Sequence, residues 1–249
     1  MTKTDQDVRE LIDHLRSLGS ERNRAGMARF GITVTQAFGV SIPPLRALAR
    51  RLGRDHLLAA GLWNSGWHEA RLLAVYCEEI ARVDRTQMEA WAADFNSWDL
   101  TDQTCSNLFI QTPFAMEKVH AWAAREEEFV RRAAFAMLAA LAVHSRTMED
   151  ADFRAVLPLL DAAADDERNF VRKSVNWALR QIGKRTLALH ADALAFAETL
   201  TQRPSRSARW IARDAIRELS RPETINRIET RRAKRPVSVH RVPTHTPSR

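Results

Sequence analysis

The stretches FVRRAAFAML (residues 129–138) and FVRKSVNWAL (residues 170–179) decide the fold of this chain. They align at an offset of 41 residues, and ARWIARDAIREL (208–219) resembles the second at an offset of 37. EARLLAVYC (69–77) is a looser relative. A self-similar helical unit at such intervals, alternating with plainer helices, is typical of stacked helix pairs that bury their apolar faces against their neighbours.

Helical periodicity extends over most of the remaining chain, and no hairpin or alternating strand pattern interrupts it. Further helices are predicted at about 67–82, 86–94, 101–109, 113–124, 127–143, 150–163, 167–184, 189–201 and 205–219. We therefore predict an all-α fold, a HEAT-like α-solenoid of stacked antiparallel helix pairs. One side of such a stack presents a row of equivalent side chains, and function is expected on that row.

Composition excludes several classes of protein. Glycine accounts for only 8 of 249 residues, which disfavours the Gly-rich phosphate loops and dinucleotide-binding turns that depend on this residue. Two cysteines are too few for a four-thiolate zinc site or a disulfide framework. The polar start MTKTDQDVRE does not resemble a signal peptide, and no stretch of 18 apolar residues occurs. We expect a cytoplasmic monomer without a metal, a cofactor or a membrane partner.

The basic charge is concentrated at one end of the chain. Residues 221–249 carry eight Arg or Lys and two Glu, a net charge of +6, whereas residues 1–220 carry a net charge of only +1. The last segment also lacks an apolar period and contains several prolines. We predict a folded domain over 1–220 and a basic, disordered tail over 221–249, with room for one short helix at its start.

The predicted helix over 167–184 places a tryptophan among cations. At 100° per residue, the four side chains that fall within about 60° of one another are Lys173, Trp177, Arg180 and Lys184. One interpretation is an aromatic platform with cations that face phosphates. The other is an interfacial tryptophan whose ring packs under the aliphatic stems of the cations. Spacing alone leaves both open.

Two further sets of arginines also admit two interpretations. Arg132, the repeat equivalent of Lys173, faces Ala136, Ala139 and Val143, which predicts an open groove beside it. Its anion would be a ligand phosphate or a carboxylate on a neighbouring helix, and the structural salt bridge is favoured.

The last predicted helix, 205–219, carries four arginines on one side. This side is either a ridge for phosphate contact or a solvated mixed face, and its members are Arg206, Arg209, Arg213 and Arg217.

The segment FNSWDLTDQ (95–103) combines a tryptophan with a carboxylate. Asp99 or Thr101 is predicted to cap a helix, with Asp102 in its first turn, where the helix dipole favours an ionised carboxylate. Trp98 then lies at the entrance of that helix. A hydrophobic staple with a cap explains the same spacing and is favoured on spacing alone.

Four segments together resemble the AlkD-like DNA alkylation repair glycosylases. These segments are FGVSIPPLRALAR (38–50), SWDLTDQ (97–103), EEFVRRAAFA (127–136) and NFVRKSVNWALRQIGK (169–184). The resemblance covers about residues 7–220 and implies a HEAT-like solenoid. It also implies a DNA glycosylase that removes positively charged alkylated purines, chiefly N3-methyladenine and N7-methylguanine, from double-stranded DNA without a deep base-flipping pocket.

The resemblance also implies roles for individual residues. Trp98, Asp102 and Trp177 match the aromatic–carboxylate active site of the family, and Arg132 and Arg180 match its arginines near the DNA. Such a site suits cationic bases, because these are already good leaving groups and a carboxylate can stabilise the sugar cation. Two alternatives remain: a catalytically silent HEAT-repeat protein that binds DNA or senses damage, and a protein-interaction scaffold.

Overall fold

The computed structural model describes the backbone of residues 3–234 and the side chains of residues 4–230. The first half consists of α1 (Lys3–Ser17), α2 (Glu21–Arg29), α3 (Ile42–Leu52), α4 (His56–Asn64), α5 (His68–Cys77), α6 (Arg85–Ala93), α7 (Trp98–Asn107) and α8 (Ala115–Trp122). The second half consists of α9 (Glu128–His144), α10 (Asp150–Ala155), α11 (Leu157–Ala163), α12 (Asn169–Gly183), α13 (Leu187–Thr201), α14 (Arg206–Leu219) and α15 (Pro222–Lys234). Short 3₁₀ turns lie at Ile80–Arg82 and Phe109–Gln111, and residues 3–234 contain no strand.

The repeated sequence segments lie side by side in the fold. α5 packs on α7, α7 on α9, α9 on α12 and α12 on α14. We call these five helices the repeat layer. The remaining helices pack behind it, as α4 does on α5, α8 on α9 and α13 on both α12 and α14. The predicted all-α, HEAT-like solenoid is confirmed. The sequence repeats fall on α5, α9, α12 and α14 of this one layer, and α7 lies between the first two.

The central helix of the repeat layer is buried on every side. The side chains of α9 are buried from Arg132 through Ala142, and Phe135, Met137 and Leu138 have no exposed surface. This explains why the sequence of α9 is apolar all round: α6, α7, α8 and α12 all contact it. The open groove expected beside Arg132 is wrong, because Ala136 and Ala139 are fully buried by these neighbours.

The helix expected around FNSWDLTDQ begins earlier than predicted. α7 starts at Trp98, and its N-cap is Ser97 in an extended conformation. Asp99 therefore lies in the first turn and Asp102 in the second, while Thr101 donates a hydrogen bond of 2.8 Å to the Ser97 carbonyl. The expected caps at Asp99 or Thr101 are wrong by two to four residues.

The start of the basic tail is a helix that packs on the preceding domain. α15 contacts α13 and α14, and its side chains Thr224 and Ile228 are buried. The short helix that the sequence allowed at the start of the tail is therefore present over 222–234, and it packs on the preceding helices. The rest of the predicted tail, residues 235–249, lies outside the described residues.

Two searches of the described chain bear on its possible partners. No helix within residues 3–234 is both long and apolar enough to cross a membrane. Over the same range, no group of three or more His, Cys, Asp and Glu side chains is arranged to hold a metal ion.

We expect the docking of α15 to contribute to the stability of the protein. Ile228→Asp places a carboxylate against the apolar surface that now covers Ile228, so it should remove about 2 kcal/mol of burial energy. At this chain length that loss lowers the thermal midpoint by roughly 4–8 °C. Asn226→Asp, an exposed position on the same helix, is the matched control and should leave the midpoint unchanged. Equal midpoints for both variants would show that α15 adds no stability.

Candidate active site

A bidentate ion pair joins two helices at the middle of the repeat layer. Arg132 of α9 donates from Nε to Asp102 Oδ1 over 2.9 Å and from Nη2 to Asp102 Oδ2 over 2.7 Å. Its remaining terminal nitrogen, Nη1, donates to the Phe170 carbonyl of α12 over 2.7 Å. The structural salt bridge favoured by the sequence is therefore present, and its partner is Asp102, singled out separately from the sequence as a candidate site carboxylate. One guanidinium holds α7, α9 and α12 together.

The pair is largely removed from water. The side chains of Arg132 and Asp102 retain 7% and 16% of their exposed surface. The pKa of the Asp102 carboxyl is raised above its ordinary value, chiefly by burial and further by the nearby charge of Asp99, although the Arg132 guanidinium opposes that rise. Both oxygens of Asp102 are engaged by Arg132, so the carboxylate has one fixed orientation.

Trp98 lies on the same face of α7 as Asp102, one turn earlier. Its ring is half-buried, and its indole Nε1 donates to the Phe30 carbonyl over 3.0 Å. A hydrophobic staple would leave that N–H without a defined partner, so the indole has a further role: it holds the chain segment that follows α2 over the entrance of α7.

Trp177 is neither fully exposed nor part of the core. Its ring is half-buried and packs against the hydrophobic core, so the expectation of an exposed aromatic platform is too simple. It lies seven residues after Phe170, which places both on one side of α12. The carbonyl of Phe170 is the one that Arg132 contacts. Trp177 thus lies two turns further along α12 than the residue whose carbonyl Arg132 contacts.

A second buried ion pair lies beside the first, and it was not predicted from the sequence. His68 Nε2 of α5 lies 2.9 Å from Asp99 Oδ2 of α7. Burial and the charge of Arg71 disfavour the charged form of His68. The hydrogen bond and charge of Asp99, together with the charge of Glu69, outweigh them, so the pKa of His68 is raised. Burial likewise opposes ionisation of Asp99, yet His68 lowers the pKa of that carboxyl. Only the adjacency of Asp99 to Trp98 in SWDLTDQ could have signalled this pair.

The motif FGVSIPPLR is anchored by a buried carboxylate. Glu69 has no exposed surface and accepts hydrogen bonds from the backbone amides of residues 38–40, at 2.9, 2.6 and 3.1 Å. The middle residue is Gly39, with φ of 84° and no space for a Cβ against the Ser20 carbonyl. This contact fixes the loop before α3 against α5, next to His68.

Two of the predicted DNA-facing cations are engaged by acids of the next helix. Lys184 Nζ lies 2.6 Å from Glu218 Oε1, and Arg180 pairs with both Glu218 and Asp214 of α14. Their charges are largely offset within the protein. Lys173, in contrast, is exposed and forms no ion pair among residues 4–230.

The arginine ridge of α14 divides in the same way. Arg217 pairs with Asp214, and Arg209 donates to the carbonyls of Arg203 and Pro204 at 2.9 and 2.7 Å. Arg206 and Arg213 are exposed, and neither pairs with an acid within the described side chains. Two of the four ridge arginines, Arg209 and Arg217, therefore have partners within the protein, as the mixed face that the sequence allowed would provide. Lys173, Arg206 and Arg213 remain available to an anionic ligand.

We expect the His68–Asp99 pair to make protein stability depend on pH. The folded pKa of His68 lies above its ordinary value of 6.5, so its stabilisation is complete below that pH and is lost as pH rises through the folded pKa. The folded pKa of Asp99 lies below 3.8, so its share is lost only as pH falls through that lower value. The pair therefore contributes most to the free energy of unfolding between pH 3.8 and pH 6.5, the ordinary pKa values of the two side chains.

Urea melts of the wild type and His68→Gln from about pH 5 to about pH 8 measure this dependence. The difference in unfolding free energy should shrink as pH rises. His14→Gln, at an exposed position of α1, is the control and should show no such trend. A difference that grows with pH would contradict the assignment.

Comparison with known proteins agrees with this fold. A solved structure described as "a new family of proteins related to the HEAT-like repeat DNA glycosylases with affinity for branched DNA structures" aligns with a TM-score of 0.70 and 16% identity. The alignment covers 84% of this chain and 94% of the other, and at this identity it shows the fold alone. No curated protein matches the sequence. The family model described as "DNA alkylation repair enzyme" matches residues 11–219, so the chain belongs to that family.

Proposed function

We propose that the protein is a DNA glycosylase that hydrolyses the N-glycosidic bond of positively charged alkylated purines in double-stranded DNA. The observation that carries this proposal is the Asp102 carboxylate, held in one orientation by Arg132 on the repeat layer and preceded by Trp98 on the same face of α7. N3-methyladenine and N7-methylguanine are the substrates that this chemistry favours, since each carries a positive charge before the reaction begins.

The proposed reaction needs no metal or cofactor. The bond between C1′ and the base nitrogen breaks, and its electron pair goes to the base, which leaves as a neutral molecule. The sugar becomes an oxocarbenium cation, and a water oxygen then bonds to C1′ and loses one proton. A carboxylate near the sugar stabilises the cation and accepts that proton.

Arg132 sets the condition under which Asp102 can perform this role. Burial alone would favour the protonated acid, which cannot stabilise a cation, and the guanidinium opposes that protonation. Because Arg132 also contacts the Phe170 carbonyl, the carboxylate is fixed relative to α12, which carries Trp177. Two indoles near a cationic base or sugar add favourable cation–π contacts.

DNA is the macromolecular partner that this proposal requires. Lys173, Arg206 and Arg213 lie on α12 and α14 of the repeat layer, exposed and without ion pairs among the described side chains. Contacts from such cations to phosphates would supply affinity that falls with added salt. Arg180 and Lys184 would contribute less, since Glu218 already pairs with both.

A second candidate function is binding of branched or damaged DNA without base excision. The structurally similar protein is described as having affinity for branched DNA, which favours this alternative. The Asp102–Arg132 pair also favours it, since both carboxylate oxygens are already engaged. In this case the ion pair would be a structural link within a DNA-binding layer.

Removal of the Asp102 charge separates the two candidates. We expect the wild type to release free base from duplex DNA that contains N7-methylguanine, and Asp102→Asn to slow single-turnover release on the order of 10²–10³-fold. DNA affinity should change little, because an amide at this buried position contacts no phosphate. Chromatography of the released base and fluorescence anisotropy of bound DNA measure the two quantities.

Asp192→Asn is the matched control, since Asp192 of α13 pairs with Arg154 of α10, both outside the repeat layer, and the change should leave both quantities unchanged. A thermal melt checks that Asp102→Asn remains folded without its charge pair. An unaltered excision rate would remove Asp102 from the mechanism. Tight DNA binding with no base release by the wild type would favour the second candidate.

A further inference from the structure

Phe30 is an exposed aromatic ring at the edge of the candidate site. It directly follows α2 and retains 73% of its surface, the largest fraction among the exposed large hydrophobic residues of the described chain. Burial of an apolar ring is favourable, so a ring exposed to this extent would gain free energy if another molecule covered it. A single exposed hydrophobic side chain is common, and its surroundings decide its meaning.

The backbone beside this ring is held from two sides. The Trp98 indole donates to the Phe30 carbonyl over 3.0 Å, and the Thr33 hydroxyl donates to the Asn96 carbonyl over 3.0 Å. Gly31 has φ of 75°, and a Cβ there would lie 3.0 Å from Cζ of the Phe170 ring. We call residues 30–33 the Phe30 loop. The loop therefore bridges the entrance of α7 and the start of α12.

The same two entrances flank the buried ion pair. Trp98 precedes Asp102 by four residues, and the carbonyl of Phe170 accepts a hydrogen bond from Arg132. The backbone of Phe30 is thus held next to the candidate site by a residue that also belongs to that site, and the ring is left exposed.

Two exposed cations without acidic partners belong to the segments that meet at the Phe30 loop. Arg29, the preceding residue, is exposed, and its Nε donates only to the Ala25 carbonyl. Lys173 lies one turn after Phe170 on α12 and is also exposed. Neither forms an ion pair among residues 4–230. An exposed aromatic ring accompanied by free cations can stack on a nucleobase while the cations contact the adjoining phosphates.

We propose that Phe30 is a nucleobase contact, which stacks on a DNA base exposed by a break in regular stacking. Apolar side chains that enter a duplex in this way are accommodated where the stack is already weakened. In intact duplex DNA each base face is covered by its neighbours, so the ring gains little. This proposal rests on the proposed function only in taking DNA as the ligand, and it does not require base excision.

Binding to a duplex with one stable abasic-site analogue tests this role, because that DNA offers an unstacked base but none to excise. We expect Phe30→Ala to weaken binding to this duplex roughly tenfold, the loss typical of one base–aromatic stack. Affinity for the intact duplex of the same sequence should change less than twofold. A 2-aminopurine placed beside the abasic site reports the stacking directly, through quenching by the wild type that Phe30→Ala loses.

Leu57→Ala is the matched control: Leu57 is 62% exposed, on α4 outside the repeat layer, and its loss should change neither affinity. The thermal midpoint of Phe30→Ala should equal that of the wild type, since the ring buries little surface. Equal loss of affinity for both duplexes, or no loss for either, would overturn the proposal. Self-association of the wild type that Phe30→Ala abolishes would overturn it as well. Absence of glycosylase activity would leave the result of this binding test unaffected.

Discussion

The arrangement of the site depends on one guanidinium. Arg132 is almost completely buried in the most buried helix of the fold, where an unpaired charge would be strongly unfavourable. Its five N–H groups form a rigid planar fork, and this fork engages a carboxylate of α7 and a carbonyl of α12 at once. The relative positions of three helices, and of the side chains they carry, follow from that geometry. A lysine could not make the same three contacts.

The charges of the repeat layer divide into those that hold helices together and those left for a ligand. His68, Arg132, Arg180 and Lys184 each pair with an acid of an adjacent helix. Such pairs gain from partial burial and link consecutive members of the layer. Lys173, Arg206 and Arg213 have no such partner within the described side chains, and they lie on the last two helices of the layer. The net charge of the chain does not reveal this division.

Two loops that lie over the repeat layer are held by side chains of that layer. The Glu69 carboxylate fixes the loop before α3, and the Trp98 indole fixes the Phe30 loop over α7. Both anchoring residues belong to the repeat layer, so the layer positions the segments that lie over it.

The sequence by itself determined the helical class, the repeat and most helix positions, because these follow from local periodicity and from self-similar segments such as 129–138 and 170–179. It also identified Trp98, Asp102, Arg132 and Trp177 by their motifs. Only the tertiary structure decided that Arg132 pairs with Asp102, that Glu218 engages Arg180 and Lys184, that His68 pairs with Asp99, and that Phe30 lies beside them. The partners in these ion pairs are 30 to 38 residues apart, and helical periodicity carries no information on which faces of separate helices meet.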